Sequence, residues 1–171
     1  MSMTSKGNLW LDLATGLPVK GDTKMANNID IPNTINIMQE ISVATTGTHD
    51  TEALATWWET LPAKDRSRVM RLPSVARYLP ASGDPIRPAP KRFRPEIHEA
   101  IIRAMLASAS RFTIFPMQDL FGWHVRINTP ATVDEDNWSW RLPGHVDDLE
   151  ALEATRARAA LLKDWTREAG R

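Results

Sequence analysis

The chain of 171 residues carries 21 Lys plus Arg against 21 Asp plus Glu, a formal charge of zero, which argues against a dedicated nucleic-acid binder and against an acidic disordered tail. Apolar residues at 42% and charged residues at 25% fit a globular chain of about one domain. No cysteine is present, so a disulfide framework, a thiolate metal site and a Cys nucleophile are excluded.

Residues 1–40 are rich in Asn, Thr, Gly and Lys with weak periodicity, and read as a poorly ordered or unrelated N-terminal segment. Within it, Asn8–Leu13 reads as a short strand, and Thr15-Gly16, Lys20-Gly21 and Asn27-Asn28 as turns. Met1–Leu13 lacks a basic start followed by an apolar stretch, and no apolar run approaches the ~18–20 residues of a membrane span. The expectation is a cytoplasmic protein with no membrane partner.

Ile41–Thr46 is a β-branched run ended by Gly47 and reads as a buried strand. Leu54, Trp57, Trp58 and Leu61 then fall at helical spacing, with Asp50 or Thr51 as the expected N-cap and Pro62 as the stop. A second helix is expected over Asp65–Leu72. Residues 73–90 carry prolines at 73, 80, 85, 88 and 90 and should be extended or turn-like. Pro95–Ser108 reads as a helix with Pro95 at its first position and Ile97, Ile101, Ile102, Met105 and Leu106 on its apolar face. Arg111–Phe115 reads as a second buried strand, Met117–Gly122 as one helical turn, and Trp123–Pro143 as irregular. The last helix is expected over Asp147–Ala169, capped by Asp147 or Asp148, packing through Leu149, Leu152, Ala159, Leu162 and Trp165. Strands alternating with helices in this order suggest parallel β/α units. Two strands do not make a stable sheet alone, so the chain reads as part of a larger β/α structure.

Three constellations carry possible chemistry. Gly47-Thr48-His49-Asp50 sits at the C-terminal end of the first buried strand, the catalytic face of a β/α barrel. A carboxylate there suits an oxocarbenium-like sugar centre and an imidazole suits a hydroxyl; the competing role for Asp50 is a helix cap. Gln118 and Asp119 follow the second strand and either face a polar ligand or cap a turn. Arg126, Asn128, Asn137, Trp138 and Trp140 combine indole faces with amide and guanidinium donors, which suits sugar rings or a loop pinned over the core. His98, His124 and His145 are scattered with no metal-ligand spacing, so no metal site is expected. No glycine-rich phosphate loop is present. Lys91-Arg92-Phe93-Arg94 reads as a solvated helix lead-in rather than a nucleic-acid patch.

Taken in order, these segments resemble the 4-alpha-glucanotransferases (amylomaltase or disproportionating enzyme, glycoside hydrolase family 77). Gly47-Thr48-His49-Asp50-Thr51 before Trp57-Trp58 is similar to their last catalytic segment. Phe115-Pro116-Met117-Gln118-Asp119-Leu120-Phe121-Gly122 is similar to the stretch after their eighth barrel strand. Arg126-Ile127-Asn128-x-Pro130 and Asn137-Trp138-x-Trp140-Arg141-Leu142 are similar to their closing loop.

The resemblance covers residues 41–171. It implies an α/β fold that is the C-terminal part of a (β/α)8 TIM barrel, about strands 7 and 8 with their helices, incomplete on its own. It implies transfer of α-1,4-glucan segments to glucose or maltooligosaccharide acceptors with retention, and no cofactor. Asp50 matches the transition-state-stabilising Asp, and His49 the histidine beside it in the −1 subsite. Gln118, Asp119, Arg126, Asn128, Asn137 and Trp138 become substrate-binding candidates.

The family's nucleophilic Asp and acid/base Glu precede the His-Asp segment. Asp12, Asp22, Asp30 and Glu40 stand in no such context here, and Thr51-Glu52 departs from the usual Asn-Asp. The expectation is therefore a fragment with little or no activity alone, from a truncated or frameshifted gene or from a split enzyme in which a second polypeptide supplies the missing strands. The alternatives are a non-catalytic maltooligosaccharide-binding or interaction module, or an inactive gene fragment.

Overall fold

The computed structural model describes residues 4–10, 20–26, 42–80 and 89–171. β1 (Thr4–Trp10) pairs antiparallel with β2 (Lys20–Ala26), with Trp10 opposite Lys20 and Thr4 opposite Ala26. Thus Lys20-Gly21, read as a turn, opens a strand; antiparallel pairing with β1 outweighs the local turn preference of the dipeptide. Thr15-Gly16, Asn27-Asn28, Pro85 and Pro88 lie outside the described residues, as do Leu11–Leu13 at the end of the first expected strand.

β3 (Val43–Thr45) and β4 (Phe112–Ile114) form a two-stranded parallel sheet in which Val43 faces Phe112 and Thr45 faces Ile114. Between them run α1 (Leu54–Thr60), α2 (Ala63–Arg71), α3 (Pro73–Ala76) and α4 (Pro95–Leu106). Prolines set the breaks. Leu61, Leu72 and Arg94 each precede a proline and are extended (ψ 143°, 127° and 153°), because the following ring disfavours helical backbone there. Pro73 and Pro95 then open new helices at a position where the missing N–H costs nothing. That is why residues 73–76, expected to be extended, form a short helix.

α4 is the centre of the core. Ile97, Ile101, Ile102 and Leu106 meet Trp58 of α1, Val69 of α2 and Val75 of α3. The Trp58 indole N–H donates to the Pro90 carbonyl, so this fully buried ring keeps its polar atom satisfied. After β4 come α5 (Met117–Phe121), an irregular stretch, a 3-10 turn (Val146–Asp148) and α6 (Glu153–Glu168).

Two expectations about burial need correction. β4 was expected inside, yet Phe112 is 47% and Ile114 57% exposed. Among the described residues β4 has one strand neighbour, so its outer edge and one face have nothing to pack on. α6 begins at Glu153 rather than Asp147, and of its expected apolar side only Trp165 is buried, Leu162 half-buried, and Leu152 and Ala159 exposed. The helix joins the core through its C-terminal turns, where Arg103 of α4 also grips both carboxylate oxygens of Glu168 at 2.7 Å.

Candidate active site

The turn after β3 carries His49 and Asp50 and is stitched by hydroxyls. Thr45 Oγ1 donates to the Gly47 carbonyl, Thr51 Oγ1 donates to the Thr48 carbonyl and accepts from the Thr48 N–H, and Thr48 Oγ1 accepts from the Asp50 N–H. Gly47 is required by space: a Cβ there would lie 2.5 Å from Thr51 Oγ1. Asp50 and Thr51, the expected caps, do not cap α1. Its N-cap is Ala53, which has no side-chain oxygen to offer.

The cap comes instead from α5. Asp119 Oδ1 accepts from the Leu54 N–H at 2.7 Å, and Asp119 Oδ2 accepts from Thr46 Oγ1 at 2.5 Å. Its backbone carbonyl takes the Nε2–H of His98 at 2.6 Å. Asp119 is 1% exposed and Gln118 4%, so both side chains expected at the ligand surface lie inside. Burial raises the Asp119 carboxyl above its usual range, against the opposing pull of the Leu54 and Thr46 hydrogen bonds. Burial also lowers His98 to about 4, against the Asp119 carbonyl and with a small push from Arg158, so this histidine is neutral at pH 7. Gly122, at φ 69°, ends α5 and lets the backbone turn beside the His98 ring.

The irregular stretch after α5 folds back over the His49-Asp50 turn. Asn128 Nδ2 donates to Asp50 Oδ1 at 2.6 Å, and the Asn128 N–H donates to the His49 carbonyl at 3.1 Å. Arg126 donates to the Asp50 carbonyl and the Asn128 carbonyl, both at 2.9 Å, and stands 3.7 Å from Glu52. His49 Nε2 lies 3.2 Å from Asp50 Oδ2. The Trp138 ring sits 5.0 Å from the His49 ring, and the residue is 57% exposed.

Trp138 holds a left-handed backbone (φ 63°), anchored by its N–H to the Ile127 carbonyl. Asn137 keeps the segment closed, taking the Thr129 N–H on Oδ1 and donating to Thr132. Five of the eight candidates, His49, Asp50, Arg126, Asn128 and Trp138, thus meet at one surface. Asn137 supports the loop, and Gln118 and Asp119 lie beneath.

Sequence reasoning missed Thr46, whose hydroxyl has no local partner motif, and the hydroxyl lacing by Thr45, Thr48 and Thr51, for which the repeated Thr around Gly47 was the available signal. The remaining histidines make no metal set: His124 faces Glu59 at 3.3 Å and His145 faces Asp147 at 3.3 Å. Among the described residues no group of His, Asp and Glu has metal-binding geometry, and no helix is long and apolar enough to cross a membrane.

Residues 21–147 match the family model described as 4-alpha-glucanotransferase, a match that begins within the segment read as unrelated. The chain is 36% identical to the chloroplastic/amyloplastic 4-alpha-glucanotransferase of Oryza sativa subsp. japonica, over 71% of this chain and 17% of that protein. It is 33% identical to the corresponding Arabidopsis thaliana protein, over 80% and 21%. It is 30% identical to the 4-alpha-glucanotransferase of Thermus thermophilus, over 68% and 21%. The structure is similar to an amylomaltase from Streptococcus agalactiae solved in complex with acarbose: TM-score 0.55, 32% identity, 75% of this chain and 22% of that one. The chain therefore spans about a fifth of the length of the curated relatives it matches.

Proposed function

Because the chain belongs to the 4-alpha-glucanotransferase family, we propose that it supplies the Asp50 side of a glucan-transfer site and binds maltooligosaccharides there. The observation that carries this is the convergence on Asp50: one carboxylate oxygen held by Asn128, the other beside His49, with the exposed Trp138 adjacent. An indole face takes the C–H face of a glucose ring, while imidazole and carboxylate take its hydroxyls.

The chemistry follows from the charge. Retaining transfer passes through an oxocarbenium-like state at the anomeric carbon, and a carboxylate already held in place stabilises that positive charge without reorganising. Asp50 fits this role, with Asn128 and His49 orienting its two oxygens. On this reading β3 and β4 are the seventh and eighth strands of a (β/α)8 barrel. The nucleophile and the acid/base come from strands of a second polypeptide that pack on the open side of β4, where Phe112 and Ile114 are exposed. The acarbose bound by the Streptococcus agalactiae amylomaltase supports an oligosaccharide as the ligand class.

The test is titration of the 171-residue chain with maltotriose and acarbose, beside a maltotriose disproportionation assay. Binding that is lost in Trp138→Ala and Asp50→Ala, with turnover only when the complementary barrel strands are added, is the expected result. Absence of binding refutes the site; turnover by the chain alone refutes the need for a second polypeptide. Binding without turnover under any complementation would favour a non-catalytic glucan-binding module.

A further inference from the structure

Asp119 is buried beside the site yet touches none of the residues that meet at its surface. Its two oxygens go to Thr46 and Leu54, the residues that bracket the turn holding His49 and Asp50. That turn contains Gly47, exposes Thr48, His49 and Glu52 while its two ends are buried, and is held in shape but not in place on the molecule by its internal hydroxyl bonds. A neutral cap such as Ser or Thr would satisfy the Leu54 N–H alone. A carboxylate holds two donors at once, and burying it carries a cost that a plain helix cap does not require. The platform beneath is anchored to the core: α5 is tied to α4 through the buried His98, whose Nε2–H reaches the Asp119 carbonyl at 2.6 Å.

We propose that Asp119 is a positioning residue that clamps both ends of the 46–54 turn, fixing where the His49-Asp50 pair meets the sugar. The proposal rests on the reading of that pair as the glucan site. Asp119 itself contacts no substrate. Asn in its place keeps both links, with Oδ1 accepting from Leu54 N and Nδ2 donating to Thr46 Oγ1. Ala removes both, and Thr46→Val removes one at nearly constant volume.

The readout is the His49 imidazole proton resonance, which the Trp138 ring 5.0 Å away displaces by its ring current, together with maltotriose affinity. Asp119→Ala should move the His49 resonance towards its free-peptide position and weaken binding by about tenfold or more, while Asp119→Asn restores both. Thr46→Val should move the resonance the same way by a smaller amount. A merely structural cap would lower the melting temperature and leave the His49 signal of the folded variant in place; that result overturns the proposal. If Asp119→Ala does not fold, Thr46→Val decides: an unmoved His49 resonance overturns it. A wild-type chain without maltotriose affinity overturns the glucan-site reading, while the His49 resonance still reports whether Asp119 clamps the turn.

Discussion

His98 gives the protein a specific acid sensitivity that one substitution should remove. In the folded chain the residue is 4% exposed, its ring is packed 5.5 Å from that of Phe93, and Nε2 donates to the Asp119 carbonyl. Burial is the main reason that it titrates only at about 4, against an ordinary value of 6.5. Between those values the unfolded chain holds more protons at this site than the folded one. Stability therefore falls as the pH drops from 6.5 to 4, and the full contribution is present above 6.5. At ~1.4 kcal/mol per pH unit, the gap amounts to about 2 kcal/mol at pH 5 and about 3 kcal/mol at pH 4.

His98→Gln keeps an N–H donor for the Asp119 carbonyl but has no proton to take up. Asp119, whose folded value is raised, acts in the opposite sense, gaining stability as pH falls, but does so in both proteins and cancels from the difference. The assay is urea denaturation of wild type and His98→Gln at pH 7, 6, 5 and 4. Wild type should lose stability relative to the variant by the stated amounts as the pH falls. Parallel pH profiles would refute a buried neutral His98.

Removing the Asn128 side chain in Asn128→Ala breaks the 2.6 Å hydrogen bond to the half-exposed Asp50 and should weaken maltotriose binding by about three- to tenfold, with faster amide exchange at Trp138 and little change in melting temperature. Gly47→Ala places a Cβ against Thr51 Oγ1 and should cost about 1–3 kcal/mol in thermal denaturation; a neutral result would mean that Thr51 turns away freely. Ile114→Lys alters a side chain that is 57% exposed, so unfolding free energy should change by no more than about 0.5 kcal/mol. Sedimentation should show less self-association of the isolated chain, and any complementing polypeptide should bind it more weakly.

Much of the architecture was legible because proline spacing and helical periodicity are local signals. Pro62, Pro73, Pro95 and Pro116 mark where helices begin, and Ile97, Ile101 and Ile102 mark the buried face of α4. The candidate surface was legible only as two short stretches, 49–50 and 126–138, whose side chains suit a sugar; that they lie on each other came from the structure. The role of Asp119 was not legible. Capping rules look for an oxygen beside the helix start and find Asp50 or Thr51, whereas the actual acceptor lies 65 residues away from Leu54 in sequence. Nor was the exposure of Phe112 and Ile114 legible, since β-branched and aromatic residues register only a strand, and burial depends on which neighbours arrive. α6 shows the same limit: its apolar positions span one side, but only the end near Arg103 meets a partner.

The contacts that build the site also set its order of assembly. Asp119 reaches Thr46 across 73 residues and Asn128 reaches Asp50 across 78, while the helices between them pack on partners closer in sequence, such as Trp58 on Ile97 and Val69 on Val75. Closing loops of that length costs conformational entropy before any hydrogen bond rewards it, so such contacts form late. The helical core should consolidate first, and the surface around His49 and Asp50 should appear only in the final folding phase. A core variant that slows collapse would thus delay the site without altering a single residue in it.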